Sequence, residues 1–85
     1  MYEFEELKKD LIIGHEIEFK YNGNLYTIVR DTKGRCLICN SKNLNEPIED
    51  VYLFIEFIEN LKIEDIFIKD IFNLSKYDEK SLYIL

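Results

Sequence analysis

The chain has 85 residues, 17 acidic against 11 basic side chains, a formal net charge of −6, and 47% hydrophobic and 14% aromatic residues. Disorder needs few aromatics and weak hydrophobicity, so it is excluded; no apolar run approaches the roughly 18–20 residues of a membrane-spanning helix. A chain this short buries only about 60–65% of its unfolded surface, which predicts a single domain over residues 1–85 with one modest core and little room for a deep substrate cavity.

Residues 2–13 predict an amphipathic helix, with Phe4, Leu7 and Leu11 sharing one face and Gly14 as the stop signal. Glu16 to Tyr21 alternates polar and apolar, Asn22-Gly23 suits a type I′ turn, and Leu25 to Arg30 is the return strand. A two-residue turn pairs Tyr21 with Asn24, Phe19 with Tyr26 and Ile17 with Ile28. Asp31-Thr32-Lys33-Gly34 predicts a second turn, Arg35 to Asn40 a third strand, and Ser41 to Pro47 a polar connection.

Residues 48–61 predict a second helix whose apolar face holds Val51, Phe54, Ile55, Ile58 and Leu61. Leu53 and Phe57 widen that face until it needs more than one partner, either the next helix or a second copy of the chain. Lys62 to Asp65 interrupts the pattern. A short helix follows over 66–74, burying Phe67, Ile68, Ile71 and Leu74, although Ile66-Phe67-Ile68 also reads as strand. Tyr77 to Lys80 is a polar turn, and Ser81 to Leu85 is an apolar segment that can add an edge strand, extend a helix or pack across the sheet. The expected architecture is α+β, in the order α-β-β-β-α-α, with a three-stranded antiparallel sheet and helices packed on one face.

Few groups invite catalysis. There is one histidine, His15, no glycine-rich phosphate loop, and no nucleophile-elbow context around Ser41, Ser75 or Ser81. His15 as a general base is the enzymatic alternative to a non-enzymatic protein. Cys36 and Cys39 form a CxxC pair without a second pair to complete a zinc site. On a strand, positions three apart point to opposite faces, so packing as small hydrophobes is expected, with no cofactor; a metal shared between two copies is the alternative. The acidic N-terminus, Met1 to Glu6, is unlike a signal peptide, and a cytoplasmic protein is expected.

Charge is unevenly placed. Residues 1–43 hold seven acids and seven bases, whereas residues 44–85 hold ten and four, so the whole excess lies in the second half. Glu49, Glu56, Glu59, Glu64 and Asp65 offer either a solvated helix face or an array of negative charges spaced like phosphates. Arg30, Lys33, Arg35 and Lys42 form a basic pole around the second turn, beside Phe19 and Tyr21 on the sheet. The net charge opposes direct nucleic-acid binding.

The stretch from Gly14 to Ile28 resembles a hairpin that recurs in small uncharacterised proteins of low-GC Gram-positive bacteria and their phages; Leu61 to Asp65 and Ile68 to Phe72 are similar to their C-terminal helix. The resemblance covers most of the chain and implies a phage or mobile-element setting, with no activity attached. In length, acidity and element order the chain is also similar to a small phage anti-CRISPR inhibitor, an acidic protein that occupies the DNA-entry site of an RNA-guided nuclease. That similarity is architectural and transfers no residue.

The expected function is therefore that of a protein-binding module for a basic nucleic-acid-handling enzyme, acting through Glu49, Glu56, Glu59, Glu64 and Asp65 as a DNA mimic. The alternative is a structural homodimer or complex subunit joined through Leu53, Phe57 and the Ser81–Leu85 tail.

Overall fold

The computed structural model describes all residues from Met1 to Leu85. Its elements are α1 (Phe4–Ile13), β1 (Ile17–Tyr21), β2 (Asn24–Asp31), β3 (Gly34–Cys39), β4 (Lys42–Asn43), α2 (Val51–Glu59), β5 (Lys62–Ile63), β6 (Ile66–Phe67), α3 (Ile68–Asn73) and β7 (Asp78–Ile84).

Helix α1 begins with a reciprocal capping box between Glu3 and Glu6. The Phe4 N–H, another unpaired donor of the first turn, donates to Asn73 Oδ1 at the end of α3 (2.9 Å). The helix stops where expected: Gly14 is left-handed at φ 111°, and its N–H donates to the Asp10 and Leu11 carbonyls.

The hairpin of β1 and β2 has the expected register, with Tyr21 opposite Asn24, Phe19 opposite Tyr26 and Ile17 opposite Ile28. Asn22 and Gly23 take positive φ values of 54° and 78°, as a type I′ turn requires. The register continues into β3, where Leu37 faces Ile28 and Cys39 faces Tyr26. One sheet face therefore carries Ile17, Phe19, Tyr26, Ile28 and Leu37, all buried. Phe4, Leu7 and Leu11 of α1, Phe54, Ile55 and Ile58 of α2, and Ile68, Ile71 and Phe72 of α3 close over it in one core cluster. Phe19 is its hub, stacked on Tyr26 at 5.3 Å and meeting the edge of Phe72 at 4.9 Å.

The sheet is five-stranded, in the order β4-β3-β2-β1-β7, and not three-stranded as expected. Two elements account for the difference. Where the third strand was expected to end and the polar connection to begin, Asn40 and Ser41 form a tight turn at φ 47° and 72°, and Lys42 pairs back onto Cys39. At the other edge the apolar C-terminal segment lies along β1, with Ile84 opposite Ile17 and Tyr83 opposite Glu18. The register shifts between Glu18 and Lys20, and there the Lys20 N–H donates to Ser81 Oγ (2.7 Å) in place of a ladder bond. That bulge breaks the alternation by which the strand could have been read.

Three further expectations change. Lys62 to Phe67 is a hairpin, β5 paired with β6, so the short helix starts at Ile68. Leu74, expected in the core, is 61% exposed. Tyr77, expected in a polar turn, is buried against Phe19 and Phe72.

Candidate functional site

Helix α2 is anchored at its start by Asp50, whose Oδ1 accepts from the N–H groups of Tyr52 (2.8 Å) and Leu53 (3.3 Å). Its buried face is Phe54, Ile55 and Ile58. The opposite side leaves Tyr52 65% and Leu53 58% exposed. Leu53, Phe57 and Leu61, spaced four apart, line an open groove of about 410 Å³ together with Glu56 and Asn60. Asn60 turns its Nδ2 back onto the Glu56 carbonyl (2.9 Å). Leu53 and Phe57 were expected to widen the apolar face toward a further partner; within the chain Leu53 stays exposed and Phe57 is half-buried. The helix spans Val51–Glu59, shorter than the expected 48–61, so Asn60 caps it and Leu61 lies just past its end.

The five expected acidic residues lie around α2 without forming one row. Glu49 stands just before the helix, beside the close approach of Gly34 to the Ile48–Glu49 peptide. Glu56 is exposed at mid-helix. Glu59 leans to the α1 side, where Lys8 Nζ lies 3.6 Å from its carboxylate. Glu64 and Asp65 are the two residues of the β5–β6 turn, both at positive φ (51° and 70°). Glu64 Oε1 accepts from Asn22 Nδ2 at 3.2 Å, tying that end to the β1–β2 turn. Helix α2, nine residues and about 13 Å long, lies between Glu49 and the β5–β6 turn in the chain. Glu49, Glu56 and Asp65 take part in no ion pair or side-chain hydrogen bond.

The cations do little to neutralise this surface. Both ion pairs of the protein are made by Lys8, with Glu5 (2.9 Å) and Glu59 (3.6 Å). The hydrogen bond to Glu5, assisted by Glu59, holds the Lys8 ammonium above its ordinary pKa. Lys62 and Lys69 place their ammonium groups over the Phe67 ring, at 5.0 and 5.6 Å, and pair with no carboxylate.

Arg30, Lys33 and Lys42 of the expected basic pole are exposed, but Arg35 is withdrawn into the fold. Arg35 is buried at 6% exposure, and its Nη2 donates to the Leu11 carbonyl (3.0 Å). Phe19 is inside the core. A second groove of about 440 Å³ lies beside Lys20 and Lys80, but Glu18 and Asp78 share it and the local charges cancel.

Both cysteines are free thiols. Cys36 pairs with Val29 and Cys39 with Tyr26, so the two sulfurs project from opposite sheet faces. Burial pushes the Cys36 thiol pKa up, which disfavours the reactive thiolate. His15 donates its backbone N–H to the Asp10 carbonyl (2.9 Å) as part of the α1 stop. No three His, Cys, Asp or Glu side chains converge as a metal site. No helix is long and apolar enough to cross a membrane. A scan against protein-family models and searches of curated proteins and of solved structures found no match.

Proposed function

We propose that this chain is a non-enzymatic protein-binding module that engages a basic partner through the acidic surface around α2. Its contact residues are Glu49, Glu56, Glu59, Glu64 and Asp65. One observation carries the proposal: the negative excess of residues 44–85 is not neutralised within the chain. Lys62 and Lys69 rest on Phe67, and Lys8 reaches only Glu59 among the five acids. A surface of one sign steers oppositely charged partners to it and repels phosphate backbones.

The sharper form is a phage-type inhibitor that fills the nucleic-acid groove of a host defence enzyme, such as a CRISPR nuclease, as a DNA mimic. Glu49, Glu56 and Asp65 support it best, being free carboxylates held on or beside ordered elements. Changing these three to lysine takes the formal charge from −6 to zero. A basic enzyme captured from lysate at low salt should be lost at high salt, where screening shortens to a few ångströms, and lost with the triple variant at unchanged circular dichroism. Capture that survives both changes overturns the proposal.

The alternative, self-association through Leu53 and Phe57, has the 58% exposure of Leu53 in its favour. It predicts a salt-insensitive dimer in sedimentation, dissociated by Phe57→Glu.

A further inference from the structure

We infer that the groove along α2 is the docking seat of a cationic amphipathic helix of the partner. This rests on the acidic-module reading above and adds the partner's shape and chemistry to it. The floor of the groove is Leu53, Phe57 and Leu61. Leu53 and Phe57, four residues apart on α2, lie about 6 Å apart along its axis, close to one helical turn, and Leu61 continues the apolar strip just past the helix end. Apolar side chains at i, i+3 or i+4, and i+7 of an incoming helix meet that repeat, ridge against groove. An extended strand, whose same-face side chains recur every two residues, does not.

Charge selects the occupant. Neither lysine nor arginine lines the groove. Glu56 is the one charged side chain in the lining, and its carboxylate has no partner within the chain. A partner helix must therefore bring donors beside its apolar stripe, and lysine or arginine supply donors together with the complementary sign. A second copy of this chain seated about a two-fold axis on the same stripe sets Glu56 near its own counterpart, and like charges oppose that arrangement.

The test uses the whole chain and a synthetic probe, a peptide with leucine at i, i+3, i+4 and i+7 and lysine elsewhere. Its control is a scrambled peptide of the same composition, which keeps the charge and loses the stripe. The striped peptide should bind at least about tenfold more tightly than the scrambled one. Leu53→Asp should abolish that advantage; Leu53 is 58% exposed, so the fold tolerates the change. Glu56→Gln, in a residue without intramolecular side-chain partners, should weaken both peptides. Amide shifts on titration should centre on Leu53, Phe57 and Leu61.

Equal affinity for the two peptides, lost in the Glu49, Glu56 and Asp65 triple lysine variant, overturns the groove while leaving the acidic module standing. Binding of neither peptide overturns the groove, and the acidic module then stands or falls on the lysate capture alone. A dimer in sedimentation that Leu53→Asp dissociates assigns the groove to a second copy and overturns the inference.

Discussion

The Arg35 guanidinium, projecting from β3, donates to the carbonyl of Leu11 in the last turn of α1 across 3.0 Å. Helix α1 has no basic residue in its last turn, so the sheet supplies the cation that its negative end favours. Arg30, the cross-strand neighbour of Arg35, comes close enough that a Cβ placed on Gly14 would lie 3.0 Å from its Nη1. Two members of the expected basic pole thus act in the fold. Burial, with Arg30 nearby, lowers the Arg35 pKa, and its Nε is buried without a partner.

Arg35→Ala should destabilise the protein by roughly 2–3 kcal/mol, through a lost charged hydrogen bond and lost packing. Arg35→Met keeps most of the volume and removes a buried charge that no carboxylate balances, so it should cost less than half as much. Urea unfolding of the two variants measures the difference; equal losses would show that the hydrogen bond alone matters.

Gly34 and Gly23 both sit at positive φ, 130° and 78°, yet substitution should affect them very differently. A Cβ on Gly34 would run into the Ile48 carbonyl and the Glu49 amide, whereas one on Gly23 meets nothing. Arg35 and Ile48 exchange two backbone hydrogen bonds there, at 2.8 and 3.0 Å, so the obstruction is backbone that cannot step aside. Gly23→Ala should cost about 1–2 kcal/mol from φ alone, and Gly34→Ala more than about 3 kcal/mol. Denaturation midpoints of the two variants within error of each other would contradict the assignment.

Asn45 fills the outer side of β3 between its pairing with β4 and the Arg35–Ile48 bridge. Its Oδ1 accepts from the Leu37 N–H (2.7 Å), and its Nδ2 donates to the Arg35 carbonyl (3.2 Å) and the Glu46 carbonyl (2.6 Å). Asn45→Ala leaves the Leu37 amide without a protein partner. A loss of roughly 1–3 kcal/mol is expected, with faster hydrogen exchange at Leu37. Unchanged exchange there would dismiss the role.

Alkaline pH should unfold the protein early. Burial raises the pKa of Tyr2, Tyr26 and Tyr77, with Asp10 adding to the effect at Tyr2 and Cys39 at Tyr26; it raises Cys36 likewise. In the unfolded chain these groups lose their protons near their ordinary values of 9.0 for the thiol and 10.0 for the phenols. The folded state then binds more protons than the unfolded one, so stability is full below about pH 9 and falls as pH rises further. Tyr2→Phe removes one such group and should flatten the decline, at the loss of the Tyr2 hydroxyl bond to Asp10. Denaturant midpoints from pH 7 to 11 decide it; a flat profile across that range rejects the account.

The Glu64–Asp65 turn is a site where side-chain chemistry and backbone conformation disagree. Both residues adopt the left-handed region that glycine or asparagine prefers in a type I′ turn. Asp65→Gly should stabilise the fold by about 0.5–1 kcal/mol, and raise the melting temperature by a few degrees. A lower melting temperature would mean that the Asp65 carboxylate itself holds the turn.

Much of the architecture was legible in the residues because it is local. Asn22-Gly23 dictates a tight turn, and the alternation on either side then admits a single register, the one observed from Ile17 to Ile28. Gly14 ends α1 because a left-handed residue costs glycine least, and the Phe4, Leu7 and Leu11 stripe names its buried face. The width of the apolar arc of α2 was legible too, but whether the next helix would cover Leu53 was not, and in the folded chain it does not. Tertiary structure decided what depends on distant partners. β7 lies beside β1 although more than fifty residues separate them, and its bulge at Ser81 erases the period-two signal. Glu64 and Asp65 form a turn against their own preferences because Lys62 and Ile63 find Phe67 and Ile66 across it. The place of each charge follows the same rule: composition assigns the −6 to the second half, but only the packed chain brings Lys8 to Glu59, lays Lys62 and Lys69 on Phe67, and leaves Glu56 free at the rim of an apolar groove.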